Sequence, residues 1–451
     1  MGKSYQEEYR SKLITADQAA ALVKNGDWVH YCHLSGKPVE FDEALAKRVN
    51  ELYDVNLKGA VTIAPEPKTV LADLKQEHWT WNASNFSAID RKFQALGNAY
   101  YIPWNFHDAH RYVMESFIIN IYVTQARPMD EHGYFNLSIQ ACFAIDEIEK
   151  ADIVIIETND KLPHACGGYG ECVHISKVDY IIEGKNLAPV TLPEESPEAS
   201  PEERKIAEYI LDEIEDGCCI QLGIGAFPNY IGTVICEGDF KHLGIHSEMF
   251  ADCYPHLIDS GMVDNSNKTF MRNKSVYAFA LGKQSTYDYI HFNPGLAIYD
   301  VSWCNRPDII ASNPKVRSVN NCVGVDLYAQ VASESWGFKH ISGTGGAADF
   351  VRGAYDSEGG KSYLCMTSTK KDKAGNVFSS IVPTLPPGTI VTIPRYQVQY
   401  LVTEYGKVGI KGYSTWQVAE KMISIAHPDF RDELVKEAQK MNIWRRSNKI
   451  V

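Results

Sequence analysis

Short apolar runs alternate with segments of helical spacing along the whole chain. The apolar runs that predict buried strands are residues 151–157, 217–222, 389–393 and 398–402. The segments that carry one apolar and one charged face, and therefore predict helices, are residues 16–23, 202–215 and 431–440. Because strands and helices alternate in this way in proteins built on parallel sheets, we predict an α/β fold with largely parallel sheets.

An acidic stretch with three prolines, residues 192–203, interrupts this alternation. A segment of that composition has little apolar surface to bury, so it predicts a linker or an exposed loop. The chain has 451 residues, which is enough for two or three domains. We therefore expect an N-terminal domain over residues 1–192, a linker over 193–203 and a C-terminal domain over 204–451.

Composition and charge narrow the function classes. No run of about 18 apolar residues is present, so no membrane span is expected. The first residues are polar and lack the apolar stretch of a signal peptide, which favours a cytoplasmic location. The net charge of −13 argues against nonspecific electrostatic binding of nucleic acid.

The eleven cysteines are irregularly spaced and include no CxxC pair. Zinc sites and redox dithiols normally contain such pairs. We therefore expect reduced, mostly buried thiols and no metal site.

The segment 221–232 predicts a strand, a GxG turn and a helix that begins near Pro228. Glycines let the backbone approach a ligand closely, and a helix N-terminus offers free N–H groups to an anion. A purely structural turn is the alternative interpretation. Pro228 stands where a dinucleotide-binding GxGxxG motif needs its third glycine, so this turn does not indicate a nicotinamide-dependent oxidoreductase.

Glu248 follows a short predicted strand over residues 243–246. In α/β proteins, functional groups gather at the carboxyl ends of strands, where a carboxylate can act as base, metal ligand or nucleophile. The alternative is an acid at the N-terminus of a helix over residues 249–260, where the helix dipole favours negative charge. We expect a structural role for the neighbouring His246.

Two further segments have the composition of binding loops. Three glycines within residues 343–346 exclude a regular helix or strand and favour a loop of exposed backbone donors. Three lysines within residues 370–373 predict a solvated loop that could also hold a phosphate. Each feature is weak evidence when taken alone.

These segments occur together with other motifs in a fixed order. The motifs are PMDEHGYFNLS (128–138), GIGAFPN (223–229), GIHSEMF (244–250), VDLYAQV (325–331), GTGGAADFVRGA (343–354) and VTEYG (402–406). Over nearly its whole length the chain resembles the acetyl-CoA hydrolase/4-hydroxybutyrate CoA-transferase family. The opening residues and the GAFPN turn look closest to the butyryl-CoA:acetate CoA-transferases of anaerobic bacteria.

The resemblance implies two α/β domains of the CoA-transferase type, with the active site between them. It also implies that Glu248 is the catalytic nucleophile and carries CoA as a thioester. The positions that match CoA-binding residues of the family are Gly225, Ala226, Phe227, Pro228, Asn229, Val323, Gly346 and Lys370. One departure is Ala347, which stands where many members have glutamine, so a contact to substrate or to the active-site edge is expected to be missing.

The implied reaction is exchange of CoA between butyryl-CoA and acetate by a ping-pong mechanism. Coenzyme A is a substrate that becomes covalently bound to the enzyme during the reaction. No other cofactor is expected, and the expected partners are acyl-CoA and short-chain carboxylates. Backbone N–H groups of residues 343–346 are the preferred oxyanion stabilisers.

Other functions stay open at the level of sequence. They are a transferase for 4-hydroxybutyrate or another short acyl group, an acyl-CoA hydrolase, and a non-catalytic acyl-CoA-binding protein. A homo-oligomer is a further open expectation, since enzymes often form symmetric oligomers.

Overall fold

The computed structural model describes residues 4–193, 198–223 and 226–445. Contacts between Cα atoms divide the chain into two compact units. The described part of the first unit comprises residues 4–193, Glu248–Phe250 and Lys274–Asn305. The remaining described residues form the second unit.

A parallel sheet of seven described strands forms the centre of the first unit. Its strands, in spatial order, are Tyr180–Glu183, Ile153–Thr158, Ile121–Ala126, Trp28–Tyr31, Val55–Gly59, Trp79–Ala83 and Ala99–Tyr101. Every residue of Ile121–Ala126 is buried, as expected for an inner strand whose two faces are both covered. Val29, Leu57, Trp81 and Ile155 belong to the hydrophobic core on this sheet.

Smaller sheets complete the first unit. Ser275–Tyr277, Leu296–Tyr299 and Gly167–Tyr169 form a parallel three-stranded sheet. Met249–Phe250 pairs in parallel with Phe279–Ala280, and Tyr134–Asn136 pairs antiparallel with Cys172–His174. The helices of this unit are Tyr5–Lys12, Ala16–Ala20, Glu40–Ala46, Lys68–Ala72, Ala88–Ala95, Ala109–Ser116, Ala144–Lys150, Gln284–Ile290 and Val301–Cys304.

A second sheet, of six described strands, forms the centre of the second unit. Its strands, in spatial order, are Gly244–Ile245, Cys219–Leu222, Val316–Asn321, Lys361–Cys365, Tyr400–Thr403 and Gly406–Gly409. All neighbours are parallel except the last pair, which is an antiparallel hairpin. Val351, Leu364, Leu401 and Met422 lie in its core.

Helices and short strand pairs complete the second unit. The helices are Pro201–Leu211, Ala226–Ile235, Cys253–Asp259, Pro307–Ser312, Ala347–Asp356, Thr415–Ser424 and Pro428–Lys440. The short strand Gly324–Asp326 pairs with Val331–Ala332 and with Ile381–Val382. Two antiparallel hairpins are formed by Ser335–Trp336 with Lys339–His340 and by Thr369–Lys371 with Val377–Ser379. Ser200 caps the N-terminus of the helix Pro201–Leu211 and forms a capping box with Glu203. This cap explains why an ordered helix starts within the acidic segment.

The predicted α/β fold with largely parallel sheets is confirmed. The runs 151–157, 217–222 and 398–402 contain the strands Ile153–Thr158, Cys219–Leu222 and Tyr400–Thr403. The predicted helices over 16–23, 202–215 and 431–440 correspond to Ala16–Ala20, Pro201–Leu211 and Pro428–Lys440. Differences of a few residues at the ends are usual for element boundaries.

The predicted strand over residues 389–393 is wrong. Its backbone amides do not form a ladder, because Ile390 N donates to Ser335 Oγ at 2.8 Å and Thr392 N donates to Val331 O at 2.9 Å. The side chain of Ile390 is 51% exposed. Val391 is exposed as well, whereas Thr392 and Ile393 are buried, so the irregular backbone provides only part of the predicted burial.

The two units also divide the chain differently from the predicted domains. Residues 194–197 of the predicted linker over 193–203 lie outside the described residues. Glu248–Phe250 and Lys274–Asn305 belong to the first unit instead of a continuous C-terminal domain. The physical reason is the pairing of Met249–Phe250 with Phe279–Ala280. No helix among the described residues combines the length and apolar character that crossing a membrane requires.

Lys58, Glu147 and His30 form a buried ionic cluster in the first unit. Lys58 Nζ lies 2.6 Å and His30 Nδ1 lies 2.9 Å from Glu147 Oε1. The ammonium also lies 4.5 Å from the ring centre of Phe143. Burial alone would raise the pKa of Glu147, but Lys58 and His30 outweigh it and lower that pKa. The cluster is therefore stable only while the negative charge of Glu147 balances the positive charge of Lys58.

Replacing Glu147 with glutamine should destabilise the protein, because it leaves the Lys58 ammonium buried without a counter-charge. We expect the free energy of unfolding to fall by about 3–5 kcal/mol. Urea unfolding followed by circular dichroism measures this change. Glu115→Gln is the matched control, since it breaks an exposed pair with Arg111 at 3.0 Å, and it should cost less than about 1 kcal/mol. Equal effects of the two substitutions would contradict the interpretation.

Candidate functional site

Glu248 lies in a bend directly before the strand Met249–Phe250 of the first unit. Its backbone carbonyl accepts hydrogen bonds from Ala278 N at 2.9 Å and from Phe279 N at 3.2 Å. The side chain is half-buried. The alternative role as an acid in the first turn of a helix over 249–260 is wrong, because the helix there begins at Cys253.

Asn305 holds the carboxylate of Glu248. Its side-chain Nδ2 donates to Glu248 Oε2 at 2.6 Å, and the residue itself is fully buried. The backbone of Asn305 ends the short helix Val301–Cys304 by donating to Val301 O at 2.9 Å. Val301 N in turn donates to Cys142 O at 2.7 Å. A helix end and a buried loop therefore fix the donor that orients the carboxylate.

Two buried groups of the first unit, Cys142 and His33, are held uncharged. Burial raises the pKa of the Cys142 thiol well above its usual range, and the nearby Asp300 and Glu248 carboxyls raise it further. Burial and then Lys58 lower the pKa of His33 to about 3. Cys142 is therefore a thiol and His33 a neutral imidazole at neutral pH. Neither competes with Glu248 as an anionic nucleophile.

An aromatic wall stands beside the bend that carries Glu248. The ring of His33 stacks on Phe143 with 4.9 Å between centres and meets Phe279 edge-on at 6.1 Å. Phe279 is the residue whose backbone N–H binds the Glu248 carbonyl. All three side chains are buried, and His33 Nε2 has no hydrogen-bond partner among the described residues.

The GAFPN segment opens a helix of the second unit. Gly225 lies outside the described residues, and Ala226 is the first residue of the helix Ala226–Ile235. Phe227 and Pro228 are buried. Asn229 Oδ1 is buried without a hydrogen-bond partner among the described residues. The predicted start of the helix near Pro228 is therefore correct to within two residues.

Val323 and Lys370 are brought together in the second unit. Lys370 Nζ donates to the backbone carbonyl of Val323 and lies 5.8 Å from the ring centre of Trp336. Lys370 belongs to the strand Thr369–Lys371 instead of a loop, but residues 370–373 are exposed, as the lysine-rich sequence predicts. Desolvation by its neighbours lowers the pKa of this ammonium.

The glycine-rich segment forms the predicted loop and leads into the helix Ala347–Asp356. Gly346 is the residue before the first helical turn, and Gly345 has a φ of +52°, a left-handed conformation that favours glycine. Ala347 is the first helical residue and packs against the core of the second unit. A helix N-terminus of this kind can bind an anion through its free N–H groups.

Sequence reasoning missed Asn305 and the aromatic wall. The only local signal for Asn305 is a polar residue directly after a short helical pattern, which is also what an ordinary helix end requires. His33, Phe143 and Phe279 are far apart in the chain and resemble core residues. His246 is buried and close to Asn313 and Phe350, as expected for a structural histidine. Among the described residues, no group of three or more potential ligands is arranged to hold a metal ion.

Models of one protein family match most of the chain. The acetyl-CoA hydrolase/transferase N-terminal domain matches residues 2–192. The acetyl-CoA hydrolase/transferase C-terminal domain matches residues 282–438.

Two curated relatives are similar over almost their full length. The chain is 47% identical to the probable butyrate:acetyl-CoA coenzyme A-transferase of Syntrophomonas wolfei, with 98% of each chain covered. It is 44% identical to the butyryl-CoA:acetate CoA-transferase of Anaerostipes caccae, covering 99% of this chain and 100% of that one.

The fold has a counterpart among solved structures. The crystal structure of RipA from Yersinia pestis matches with a TM-score of 0.90 and 32% identity, covering 98% of this chain and 100% of that one. These matches confirm the resemblance and the enzyme class it implies, a CoA-transferase, and the chain belongs to the acetyl-CoA hydrolase/transferase family.

Proposed function

We propose that this enzyme exchanges CoA between butyryl-CoA and acetate, forming butyrate and acetyl-CoA, with Glu248 as the covalent nucleophile. The observation that carries the proposal is the half-buried Glu248 carboxylate, oriented by Asn305 at 2.6 Å. The names of the relatives from Syntrophomonas wolfei and Anaerostipes caccae support the donor and acceptor.

The first half-reaction transfers CoA to the enzyme. A carboxylate oxygen of Glu248 attacks the carbonyl carbon of butyryl-CoA, the C–S bond breaks, and CoA leaves as a thiolate. The product is a mixed butyryl–glutamyl anhydride. The thiolate then attacks the glutamyl carbonyl carbon, butyrate leaves, and CoA remains bound to Glu248 as a thioester.

The second half-reaction repeats these steps in the opposite order with acetate. The acetate oxygen attacks the glutamyl carbon and expels the thiolate, which then attacks the acetyl carbon of the new anhydride. Acetyl-CoA leaves and the Glu248 carboxylate is restored. No net proton is consumed, because each step exchanges one anionic nucleophile for another. Ping-pong kinetics should follow.

Asn305 has two roles in this scheme. In the resting enzyme its N–H group holds Oε2, and in the proposed reaction Oε1 attacks the acyl carbon. When thiolate or acetate later attacks the glutamyl carbon, negative charge develops on the oxygen that Asn305 already contacts. A donor placed in advance at such an oxygen contributes about 3–4 kcal/mol to the transition state.

The aromatic wall suits a short hydrocarbon chain. Phe143 and Phe279 are apolar, and His33 presents a neutral ring because its pKa is about 3. Because these rings are buried, they form an apolar backing to the segment that carries Glu248, beside which a charged acyl group would lose hydration that a butyryl chain does not need. The same exclusion of water protects the thioester from hydrolysis.

The residues that we propose to bind CoA belong to the second unit. The unpaired Asn229 Oδ1 can accept an amide N–H of the pantetheine arm. Gly346 offers backbone donors at the start of the helix Ala347–Asp356. Lys370, whose Nζ contacts the backbone carbonyl of Val323, supplies an ammonium group to CoA, and Val323 supplies a backbone group. Gly225, Ala226, Phe227 and Pro228 complete the proposed CoA site.

A product assay with butyryl-CoA, in the presence and absence of acetate, tests the function. We expect acetyl-CoA to form only when acetate is present. Separation of the acyl-CoA products by liquid chromatography measures it. Release of free CoA at the same rate without acetate would make the protein a hydrolase. A panel of other acyl-CoAs, including 4-hydroxybutyryl-CoA, would then identify a different donor if butyryl-CoA is not consumed.

Replacing Glu248 should remove the covalent step. We expect Glu248→Gln to lower the exchange rate by about 10⁴-fold or more. Glu248→Asp withdraws the carboxylate by one methylene and should cost about 10²-fold. The exposed Glu433 provides the matched control, since Glu433→Gln removes the same charge and should leave the rate unchanged.

Mass spectrometry of the same variants separates the chemical role from a structural one. The unsubstituted enzyme incubated with butyryl-CoA alone should gain the mass of CoA less one water, on the peptide that contains Glu248. The glutamine variant should gain nothing while keeping its circular dichroism spectrum. Substantial turnover by Glu248→Gln, or an adduct on another residue, would refute the assignment.

Replacing Asn305 should slow catalysis without removing the nucleophile. We expect Asn305→Ala to lower kcat/KM by about 10²–10³-fold, because one donor to the developing oxyanion is lost. Asn305→Asp should be slower still, since it places a second carboxylate against Glu248. Steady-state kinetics with butyryl-CoA and acetate measures both. A rate near normal for either variant would show that the 2.6 Å contact has no catalytic role.

A further inference from the structure

A cavity of about 590 Å³ lies within the second unit and is not used by the proposed transfer reaction. Its lining includes the buried Ile410 and Val418, which belong to the core of this unit. Tyrosine rings line the rest of the cavity, among them those of Tyr355 and Tyr396. A cavity of this volume with apolar and aromatic lining is within the usual range for small-molecule sites.

Two cations line the same cavity. Arg395 lies with its guanidinium 5.6 Å from the ring centre of Tyr328. Lys411 lies with Nζ 3.9 Å from the ring centre of Tyr355 and donates to Tyr396 O at 2.8 Å. No carboxylate lines the cavity, and neither cation forms an ion pair within the part of the chain that the structure describes.

Two carboxylates that interact electrostatically with these cations are engaged elsewhere. Asp326, which interacts electrostatically with Arg395, accepts hydrogen bonds from Tyr328 N at 3.0 Å and from Gln330 N at 2.9 Å and Nε2 at 2.8 Å. Asp356, which faces Lys411, forms an ion pair with Arg352 at 2.6 Å. The cavity therefore presents positive charge in a protein whose net charge is −13.

The lining of the cavity contains none of the residues assigned to CoA. Gly346 precedes the first turn of the helix Ala347–Asp356, whereas Tyr355 lies in its last turn. At about 1.5 Å per residue these two positions are separated by about 14 Å along the helix axis. Ser414 and Thr415, at the start of the ten-residue helix Thr415–Ser424, also line the cavity, so the positive end of a second helix faces it.

We propose that this cavity binds a nucleoside monophosphate. The phosphate lies between Arg395 and Lys411, where two cations and a helix N-terminus meet, and the base packs on the tyrosine rings above Ile410 and Val418. Guanidinium groups bind phosphate oxygens in pairs, and tyrosine offers a flat, rigid surface to an aromatic base. An isolated phosphate would leave the aromatic lining unused.

Calorimetric titration of the full-length protein with adenosine monophosphate tests the proposal. Saturating CoA is present throughout, so that the nucleotide cannot occupy the site of the CoA adenosine. We expect saturable binding that Arg395→Met and Lys411→Met each weaken about tenfold or more, because a charge-assisted hydrogen bond is lost. Tyr396→Ala, which removes a ring that is 74% exposed, should weaken the nucleotide but not inorganic phosphate.

Lys436→Met is the matched control, because it removes an exposed positive charge from the helix Pro428–Lys440 and should not alter the titration. Thermal unfolding of each variant verifies that the fold is retained. Absence of binding in the presence of CoA would overturn the proposal, and so would binding by the Arg395 and Lys411 variants as tight as that of the unsubstituted protein. Inorganic phosphate or benzoate binding as tightly as the nucleotide would overturn it too. None of these readouts requires acyl transfer, so the result is independent of the proposed transferase reaction.

Discussion

Two backbone hydrogen bonds, from Ala278 and Phe279 to the carbonyl of Glu248, determine where the candidate nucleophile stands. The same segments pair further along as the strands Met249–Phe250 and Phe279–Ala280. This pairing attaches the three residues Glu248–Phe250 to the first unit, although the chain before and after them belongs to the second unit. Because a strand pair fixes its backbone more firmly than a free loop, the carboxylate is presented from a rigid position. The contact with Asn305 then only has to orient a side chain.

Charge in the first unit is controlled by burial. Lys58 and Glu147 are both fully buried and compensate each other at 2.6 Å, whereas Cys142 and His33 are buried without a strong partner and stay neutral. Both outcomes follow from the high cost of an unpaired charge away from water. In the proposed reaction the half-buried carboxylate of Glu248 attacks the acyl carbon.

The sequence predicted the fold well where patterns were local. Apolar runs such as 151–157 became buried strands because an inner strand of a parallel sheet is covered on both faces. The run 389–393 is similarly apolar, yet it forms only an isolated bridge, from Ile393 to Val331, and Ile390 N binds the side chain of Ser335. Whether a run finds a partner depends on residues far away in the chain, which composition does not reveal.

By itself, the sequence determined the α/β class, the family, and Glu248 as the candidate nucleophile, because the order of several motifs is far more specific than any one of them. Only the tertiary structure placed Glu248 in the first unit, brought Asn305 to its carboxylate and assembled His33, Phe143 and Phe279 beside it. These residues come from distant segments, and each has a local pattern that an ordinary helix end or core position would share. Their common role arises from three-dimensional packing, because long-range contacts carry no signature in short-range sequence periodicity.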